Sequence, residues 1–327
     1  MAKNLDQNSW DLKQHLLSQI QANGGWVNTH AHLDRAYSIS LDNLELGNAQ
    51  LQEKWYLVDE LKRNSTVSDI YDRLSFALEK QREQGVTTLL SFIDVDEVVK
   101  DKALKAAEKL RQQNTDMTIL FANQCLKGVI NQEAHKWFEL GAEFADVIGG
   151  LPGKDAGHEA EHLDIILQKG QELGKMVHVH VDQLNKAKER ETELLINKTK
   201  EHNMQGRVVA IHSVSLACQP KEYRDKIYQQ LAENQVSVTT CPSAWIDARR
   251  CEELVPNHNA ITPIEELVAS EVVVSLGTDN IADIYKPFSD GDMWTELRFL
   301  LESCHFYDLE ELVRIATENG RQCLGIN

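Results

Sequence analysis

The chain has 327 residues, 42% of them hydrophobic, which is enough for one large α/β barrel or for two average domains. Its formal net charge of −17 argues against a nucleic acid or an anionic membrane surface as the main partner. Six scattered cysteines without a C-x-x-C pair, no signal-peptide core and no membrane-spanning run predict a cytoplasmic protein without a zinc ribbon or a disulfide framework.

The first predicted elements are a helix and a strand. An amphipathic helix is predicted over residues 5–22 and ends at Asn23-Gly24-Gly25. An apolar, β-prone run then starts at Trp26 and leads into His30 and His32. A polar segment follows to about residue 66, and because it is long for a βα loop we expect it to be functional.

From residue 86 onwards, apolar β-branched runs alternate with stretches of helical period. Seven further strands are predicted at residues 86–93, 117–124, 144–151, 175–182, 207–213, 236–242 and 272–279. Helices are predicted at residues 68–84, 97–113, 132–142, 158–173, 188–203, 221–234, 263–270, 292–303 and 308–323. Apolar strands that alternate with helices indicate a parallel sheet covered on both faces.

Eight such βα units predict a closed (β/α)₈ TIM barrel. The alternative, an open doubly wound sheet, would carry a phosphate-binding Gly-x-Gly-x-x-Gly after an early strand, and this sequence has none. No linker divides the chain. We therefore expect a single domain over residues 1–327, with residues 1–25 as an N-terminal helical extension.

Polar side chains that could do chemistry gather at the carboxyl ends of the predicted strands, where TIM barrels place their active sites. His30 and His32 leave the first strand on the same side, because alternate residues of a strand share a face. The other strand ends carry Gln124, His180, Gln183, His212 and Asp279. Imidazoles and a carboxylate that converge on one mouth predict a metal site with room for water.

These strand ends resemble the motifs of the amidohydrolase superfamily, and within it the cytosine deaminase branch with its relatives acting on triazine amides. The matching segments are His-Ala-His-Leu-Asp at 30–34, His180-Val181-Asp182-Gln183, and residues 209–213, 276–280 and 319–325. The resemblance covers nearly the whole chain from Asn28 to Gly325. It implies a metal-dependent hydrolase that acts on carbon–nitrogen bonds other than peptide bonds.

The resemblance also implies a role for each strand-end residue. One divalent metal ion, Zn²⁺ or Fe²⁺, would be held by His30, His32, His180 and Asp279. Asp279 would accept a proton from the metal-activated water, and His212 would stabilise charge in the tetrahedral intermediate. Gln124 would hydrogen-bond the substrate, since an amide both donates and accepts. The fourth strand ends in Gly149-Gly150, which supplies no bridging ligand for a second metal.

Gln183 stands where deaminases of this branch carry a glutamate that shuttles protons, and an amide cannot titrate in that way. We therefore predict hydrolysis of an amide, amidine or ring amino C–N bond of a small nitrogenous compound, with Gln183 contacting the substrate. One alternative is a true cytosine-like deaminase in which Asp182 or a substrate group replaces the glutamate. Another is a catalytically impaired barrel that binds metal and ligand.

Further expectations concern the loops and the architecture. Trp245, Asp247 and Tyr285 follow the last strands and are predicted substrate contacts. The family usually adds a small β-sandwich, but only about 25 residues precede the first strand here, so we expect a barrel largely without it.

The predicted partner is a small molecule, without nucleic acid or membrane, and the sequence is compatible with a homo-oligomer. His158-Glu-Ala-Glu-His162 spells a zinc-protease motif, but it opens a crossover helix and is expected to be structural.

Overall fold

A computed structural model describes residues 10–244 and 261–326. Its strands are β1 (Trp26–His32), β2 (Val86–Asp94), β3 (Thr118–Gln124), β4 (Val147–Gly150), β5 (Met176–Val181), β6 (Val208–His212), β7 (Val236–Thr240), β8 (Val274–Leu276) and β9 (Asp279–Asn280). All pairs are parallel, in the order β8-β7-β6-β5-β4-β3-β2-β1-β9. Because β8 and β9 are two halves of one eighth strand, the sheet closes and the predicted (β/α)₈ barrel is confirmed.

Closure depends on Gly277, which lies between β8 and β9. A Cβ atom at this position would lie 2.7 Å from the Cβ of His30 and 2.8 Å from its carbonyl oxygen. The next residue, Thr278, donates its N–H to the carbonyl of His30 over 3.0 Å. Only glycine permits this close approach of the last strand to the first. The approach places Asp279 beside the histidines of β1.

Helices surround the barrel. They are α1 (Leu12–Ala22), α2 (Leu51–Asn64), α3 (Val67–Glu83), α4 (Lys102–Gln113), α5 (Gln132–Phe144), α6 (Glu159–Leu173), α7 (Glu191–Glu201), α8 (Lys221–Glu233), α9 (Ile264–Ala269), α10 (Met293–Glu302), α11 (Leu309–Ala316) and α12 (Glu318–Cys323). The main core packs these helices against the outer strand residues such as Leu89 and Ile93. A second apolar cluster, with Leu90 and Phe92, lies on the opposite face of the same strands.

Helix α2 is the main departure from the sequence prediction, which left residues 33–66 as a polar segment. Leu51, Trp55 and Val58 follow a helical spacing and pack on Leu126 and Ile284 near the mouth of the barrel. This contact places a helix over the ends of the strands, so the long connection after β1 forms part of the wall of the mouth.

The other departures are at element boundaries. The last predicted helix, 308–323, is two helices separated at Thr317, whose φ and ψ are −136° and −87°. Helix α1 begins at Leu12, where the Asp11 carboxylate accepts from Gln14 N–H over 3.0 Å, and the predicted start at residue 5 lies outside the described residues. Leu16 and Ile20 bury the inner face of α1 in the main core.

Two general predictions can be compared with the described residues. In residues 10–244 and 261–326, none of the helices combines the length and the apolar character needed to cross a membrane. The cysteines of the same ranges are free thiols, namely Cys125, Cys218, Cys241, Cys304 and Cys323. Within those ranges the strands form one sheet, so the described residues contain no separate β-sandwich.

Candidate active site

Four imidazoles and one carboxylate meet at the carboxyl ends of four strands. His30 and His32 come from β1, His180 from β5, His212 ends β6 and Asp279 begins β9. Each of the five is at most 4% exposed. One ligand atom each of His30, His32 and His180 lie within 4.8 Å of one another, and so do those of His30, His212 and Asp279. The two groups share His30 and form a single cluster.

Asp279 lies between the two histidines of β1. Its Oδ1 is 3.2 Å from Nε2 of His30 and 3.1 Å from Nε2 of His32. Two ligand atoms that each bind one tetrahedral Zn²⁺ at about 2.0–2.2 Å lie about 3.3 Å apart. The observed spacing therefore fits donors that share one small cation.

Several buried ring nitrogens of this cluster make no hydrogen bond. Nδ1 of His180 donates to the carbonyl of Gly150 over 3.2 Å, which leaves Nε2 as the lone-pair nitrogen. That Nε2 and both ring nitrogens of His30 are buried and make no hydrogen bond. An unsatisfied buried polar atom costs about 1–3 kcal/mol. Imidazole nitrogens and a carboxylate are the donors that Zn²⁺ and Fe²⁺ bind, so these residues fit a divalent metal.

The electrostatics keep the cluster in the form that binds metals. Burial, with a contribution from the nearby Arg35 charge, lowers the pKa of His32 to about 3, and burial lowers the pKa of His212 to about 3. Burial also takes the pKa of His180 well below its usual value. For Asp279, burial alone would raise the pKa, but the imidazoles of His30 and His32 outweigh it and hold the pKa well below its usual range. The imidazoles of His32, His180 and His212 are therefore neutral, and the Asp279 carboxylate is ionised, at neutral pH.

Backbone strain is concentrated where these side chains leave the strands. The φ angles of His212, Ser213 and Asp279 are 73°, 49° and 58°. Such left-handed conformations are uncommon for residues other than glycine and occur at functional sites, where the surrounding structure holds them. At His212, the carbonyl accepts a hydrogen bond from Thr262 Oγ1 over 2.5 Å.

A cavity of about 160 Å³ opens above the cluster. Most of the sequence-predicted site residues line it, namely His32, Gln124, His180, Gln183, His212, Asp279 and Tyr285. His30 is fully buried and does not line the cavity. Trp245 and Asp247 lie outside the described residues. The structure thus brings the strand-end residues to one place, and the roles predicted for them stay predictions.

Gln183 lies in a loop that the carboxylates of the half-buried Glu189 and the buried Asp182 hold in shape. The Glu189 carboxylate accepts from the N–H of Leu184 over 2.9 Å and from the hydroxyl of Ser215. Asp182, the residue considered as a replacement proton carrier, accepts instead from the N–H groups of Glu191 over 2.8 Å and Thr192 over 3.3 Å. Because Asp182 caps helix α7 and does not line the cavity, the structure gives it no contact with a substrate.

Several lining residues were not predicted from the sequence. They are Leu51 and Lys54 of α2, together with Lys186, Asn280 and Lys286, whereas Trp55 of α2 was considered from the sequence as a mouth residue that could stack on a planar substrate. The spacing of Leu51, Trp55 and Val58 was a usable signal for an amphipathic helix. Lys286 had no such signal, since its position depends on Glu296, 3.3 Å from its Nζ, and on the carbonyl of Thr278.

Two histidines outside the cluster have structural roles. His162 of the H-E-x-x-H motif is buried, accepts from Leu151 N–H over 3.0 Å and donates to Asp155 over 2.7 Å, whereas His158 is exposed. His178 donates from Nε2 to the carbonyl of Cys323 over 2.8 Å. The protease motif therefore does not form a metal site, and His178 is a hydrogen-bonded interior residue.

Comparison with known proteins is consistent with this site. The model of the amidohydrolase family matches residues 24–327. An uncharacterized protein of Haemophilus influenzae is 46% identical over 261 residues, covering 78% of this chain and 95% of that protein. The N-isopropylammelide isopropyl amidohydrolase of Pseudomonas sp. is 23% identical over 97% of this chain and 76% of its own length.

Among solved structures, 5-methylcytosine deaminase from Klebsiella pneumoniae, liganded with phosphonocytosine, superimposes with a TM-score of 0.85. It is 22% identical, and the match covers 92% of this chain and 75% of that one. At this level of identity the similarity establishes the fold, and the family assignment follows from the match over residues 24–327. The chain belongs to the amidohydrolase family, as the sequence motifs predicted, and is a hydrolase of carbon–nitrogen bonds.

Proposed function

We propose that this protein is a metal-dependent hydrolase that cleaves an amide, amidine or ring amino C–N bond of a small nitrogenous compound. The observation that carries the proposal is that the buried ring nitrogens of His30 and Nε2 of His180 make no hydrogen bond and lie in one cluster with Asp279, below a small cavity. The matches to a Pseudomonas amidohydrolase of N-isopropylammelide and to a cytosine-type deaminase support this class of substrate. We further propose a cytoplasmic location.

The metal ligands in this proposal are His30, His32, His180 and Asp279, and the ion is one Zn²⁺ or Fe²⁺. When bound, such an ion lowers the pKa of a coordinated water from 15.7 to about 7 and so supplies a nucleophile at neutral pH. The second metal of binuclear relatives has no ligand from β4, because that strand ends in Gly149 and Gly150. A Cβ atom on Gly149 would lie 1.9 Å from the carbonyl oxygen of Asn123, so no larger residue fits there.

Asp279 transfers the proton in this proposal, and His212 stabilises the charge that develops during the reaction. The ionised Asp279 carboxylate accepts the proton of the attacking water and returns it to the leaving nitrogen as the C–O bond forms and the C–N bond breaks. His212, whose ring centroid is 5.5 Å from those of His30 and His180, stabilises the charge that develops on the attacked centre. Its neutral imidazole at pH 7 suits this role as a donor.

Substrate binding is assigned to Gln124, Gln183 and Tyr285 in the cavity and, from the sequence, to Trp245 and Asp247. Gln183 orients the substrate by hydrogen bonds and does not transfer protons, because its amide has no titratable group. Protonation of the leaving nitrogen then falls to Asp279 alone. This assignment favours a C–N bond whose cleavage requires one proton transfer to the departing amine.

The proposal is tested by measuring ammonia or amine release from pyrimidines, triazines and small amides with zinc- and iron-loaded protein. Release from at least one compound, lost in Asp279→Asn and retained in the His162→Ala control, is the expected result. Substantial activity in Asp279→Asn would contradict the mechanism. Strong release from cytosine would show that Gln183 does not impair deamination. If the wild-type protein releases no ammonia or amine from any compound of the panel and Gln183→Glu does, the result would favour the catalytically impaired barrel.

A further inference from the structure

Arg35 holds one side of the cavity, and nothing in the predicted chemistry uses it. Its side chain is 6% exposed, and it follows the metal-ligand strand β1 by three residues. Nη1 donates to Asp94 Oδ1 over 2.9 Å and to Gln124 Oε1 over 3.2 Å. Its Nε lies 3.5 Å from Asp283 Oδ2. Two carboxylates, from β2 and from the loop after β9, therefore fix the guanidinium against Gln124.

This contact determines which way the Gln124 amide faces. A guanidinium has donors and no acceptor, so the atom that faces it must be the amide oxygen. The oxygen is thereby engaged inside the protein, and Nε2 is left for the cavity that Gln124 lines. Within residues 10–244 and 261–326, no group accepts a hydrogen bond from this Nε2. Gln124 consequently offers N–H donors to a bound molecule.

Tyr285 adds a second polar group on the same side. Its ring lies 5.1 Å from the Arg35 guanidinium carbon, and its hydroxyl is buried without a hydrogen-bond partner in the described part of the chain. Burial raises the pKa of this hydroxyl, so it stays protonated. Arg35 thus contacts both side chains, and both line the cavity. The Tyr285 hydroxyl can donate or accept, so the demand for an acceptor comes from Gln124.

We propose that Arg35 is a positioning residue that sets the hydrogen-bond polarity of this side of the cavity, so that the substrate must present an acceptor there. A carbonyl oxygen meets this demand, whereas an exocyclic amino group in the same place sets its N–H donors against those of Gln124. The inference rests on the proposed function and narrows its substrates to compounds that carry an oxo group apart from the C–N bond that is cleaved.

Two ring pairs of matched shape test this polarity: cytosine against 2,4-diaminopyrimidine, and ammeline against melamine. In each pair an oxo group of the first compound is replaced by an amino group. The wild-type protein is expected to favour the oxo compound in kcat/KM, and in the dissociation constant measured by calorimetry, by about 10- to 100-fold, the cost of one mismatched buried hydrogen bond.

Two variants distinguish a role of Arg35 in orienting the Gln124 amide from a role in stabilising the fold only. Gln124→Glu keeps an acceptor facing Arg35 but removes the N–H donors, and is expected to remove or reverse the preference for the oxo compound. Arg35→Lys keeps the charge opposite Asp94 but replaces the planar guanidinium, whose Nη1 faces Gln124, with the ammonium of a shorter side chain, and is expected to bring the ratio within about threefold of unity. Arg73→Lys is the control, because Arg73 donates to the Asp34 carbonyl over 2.8 Å and to Ser65 over 3.0 Å without touching Gln124.

The outcomes distinguish this inference from the proposed function. An unchanged oxo-to-amino ratio in Arg35→Lys, or a wild-type protein that favours the amino compounds, would overturn the positioning role even if hydrolysis is present. Binding of neither member of both pairs would overturn the inference as well. Absence of hydrolysis with a preserved binding preference would count against the proposed function alone. Thermal unfolding of each variant shows whether the fold is retained.

Discussion

Two neighbouring groups of buried polar side chains differ in how they are satisfied. In the first, the network of Arg35, Lys62, Asp94 and Asp96, each charged side chain has an ion-pair partner: Lys62 Nζ lies 2.7 Å from Asp96 and 3.1 Å from Asp94. In the second, the histidine cluster, the ring nitrogens of His30 and Nε2 of His180 are buried and make no hydrogen bond. Burial of an ion requires pairing, whereas unsatisfied nitrogens need a ligand from outside the chain. We therefore assign the network the role of supporting the fold and holding Arg35 in place, and propose that the chemistry takes place at the cluster.

The largest effect is expected from the cluster. Asp279→Asn removes the proton acceptor and one proposed metal ligand, and should lower kcat/KM by about 10³-fold or more for a substrate identified in the panel. Stability should change far less, since the carboxylate is held among imidazoles and makes no ion pair with Lys or Arg in the described residues. Steady-state kinetics and urea unfolding measure the two quantities. A loss below tenfold would contradict the assignment.

The opposite pattern is expected in the network. Lys62→Met leaves Asp94 and Asp96 buried without their lysine and should destabilise the fold by about 3–5 kcal/mol, because breaking a buried ion pair strands a charge. Urea unfolding checks this value, and the metal content should be retained. Lys221→Ala, which breaks an exposed pair with Asp225, is the matched control and should cost less than about 1 kcal/mol. Equal costs for the two variants would contradict the structural role.

His162 provides a sharper comparison, because it is a buried histidine with both nitrogens satisfied. His162→Ala should cost about 1–3 kcal/mol in unfolding free energy, since Leu151 N–H and Asp155 lose their partner. The metal content should not change. Denaturant unfolding and elemental analysis measure both. Loss of bound metal in His162→Ala would indicate that the H-E-x-x-H motif binds the metal. It would contradict the distinction between His162 as a structural histidine and His180 as a proposed metal ligand.

The smallest effect concerns the carboxylates that shape the Gln183 loop. Burial raises the pKa of Glu189 to about 7 and that of Glu191 to about 8. The folded chain then binds more protons than the unfolded chain between pH about 4.5 and 8, so these groups make stability fall as the pH rises through that range.

Urea unfolding at pH 5, 6, 7 and 8 measures this slope. Glu189→Gln, which keeps the shape and removes one titrating group, should flatten the fall in stability between pH 5 and 7. A slope identical to that of the wild-type protein would show that Glu189 does not titrate in this range.

The sequence was sufficient to predict the barrel and the cluster, because both depend on local patterns. Apolar runs of strand length predict parallel strands, and the carboxyl end of each strand is known once its run is known. His30, His180 and Asp279 could therefore be assigned to one mouth. Helix α2 was missed because the exposed Tyr56 and Leu57 stand between Trp55 and Val58 and obscure the helical spacing of its apolar face.

What the sequence could not predict depends on contacts between distant residues. Asp182 follows His180 by two residues, but its φ of 52° and its bonds to Glu191 and Thr192 turn it to a helix end. The orientation of the Gln124 amide depends on Arg35, which is 89 residues away in the chain. Such donor and acceptor choices arise only when the tertiary structure brings the groups together.

Metal content tests the central claim most directly. Elemental analysis of the purified protein, before and after chelation and reloading, should give about one zinc or iron ion per chain in the wild type and in His162→Ala. His180→Ala, which removes a proposed ligand and leaves β1 intact, should lose that ion. Absence of stoichiometric metal after reloading, or full metal content in His180→Ala, would contradict the account.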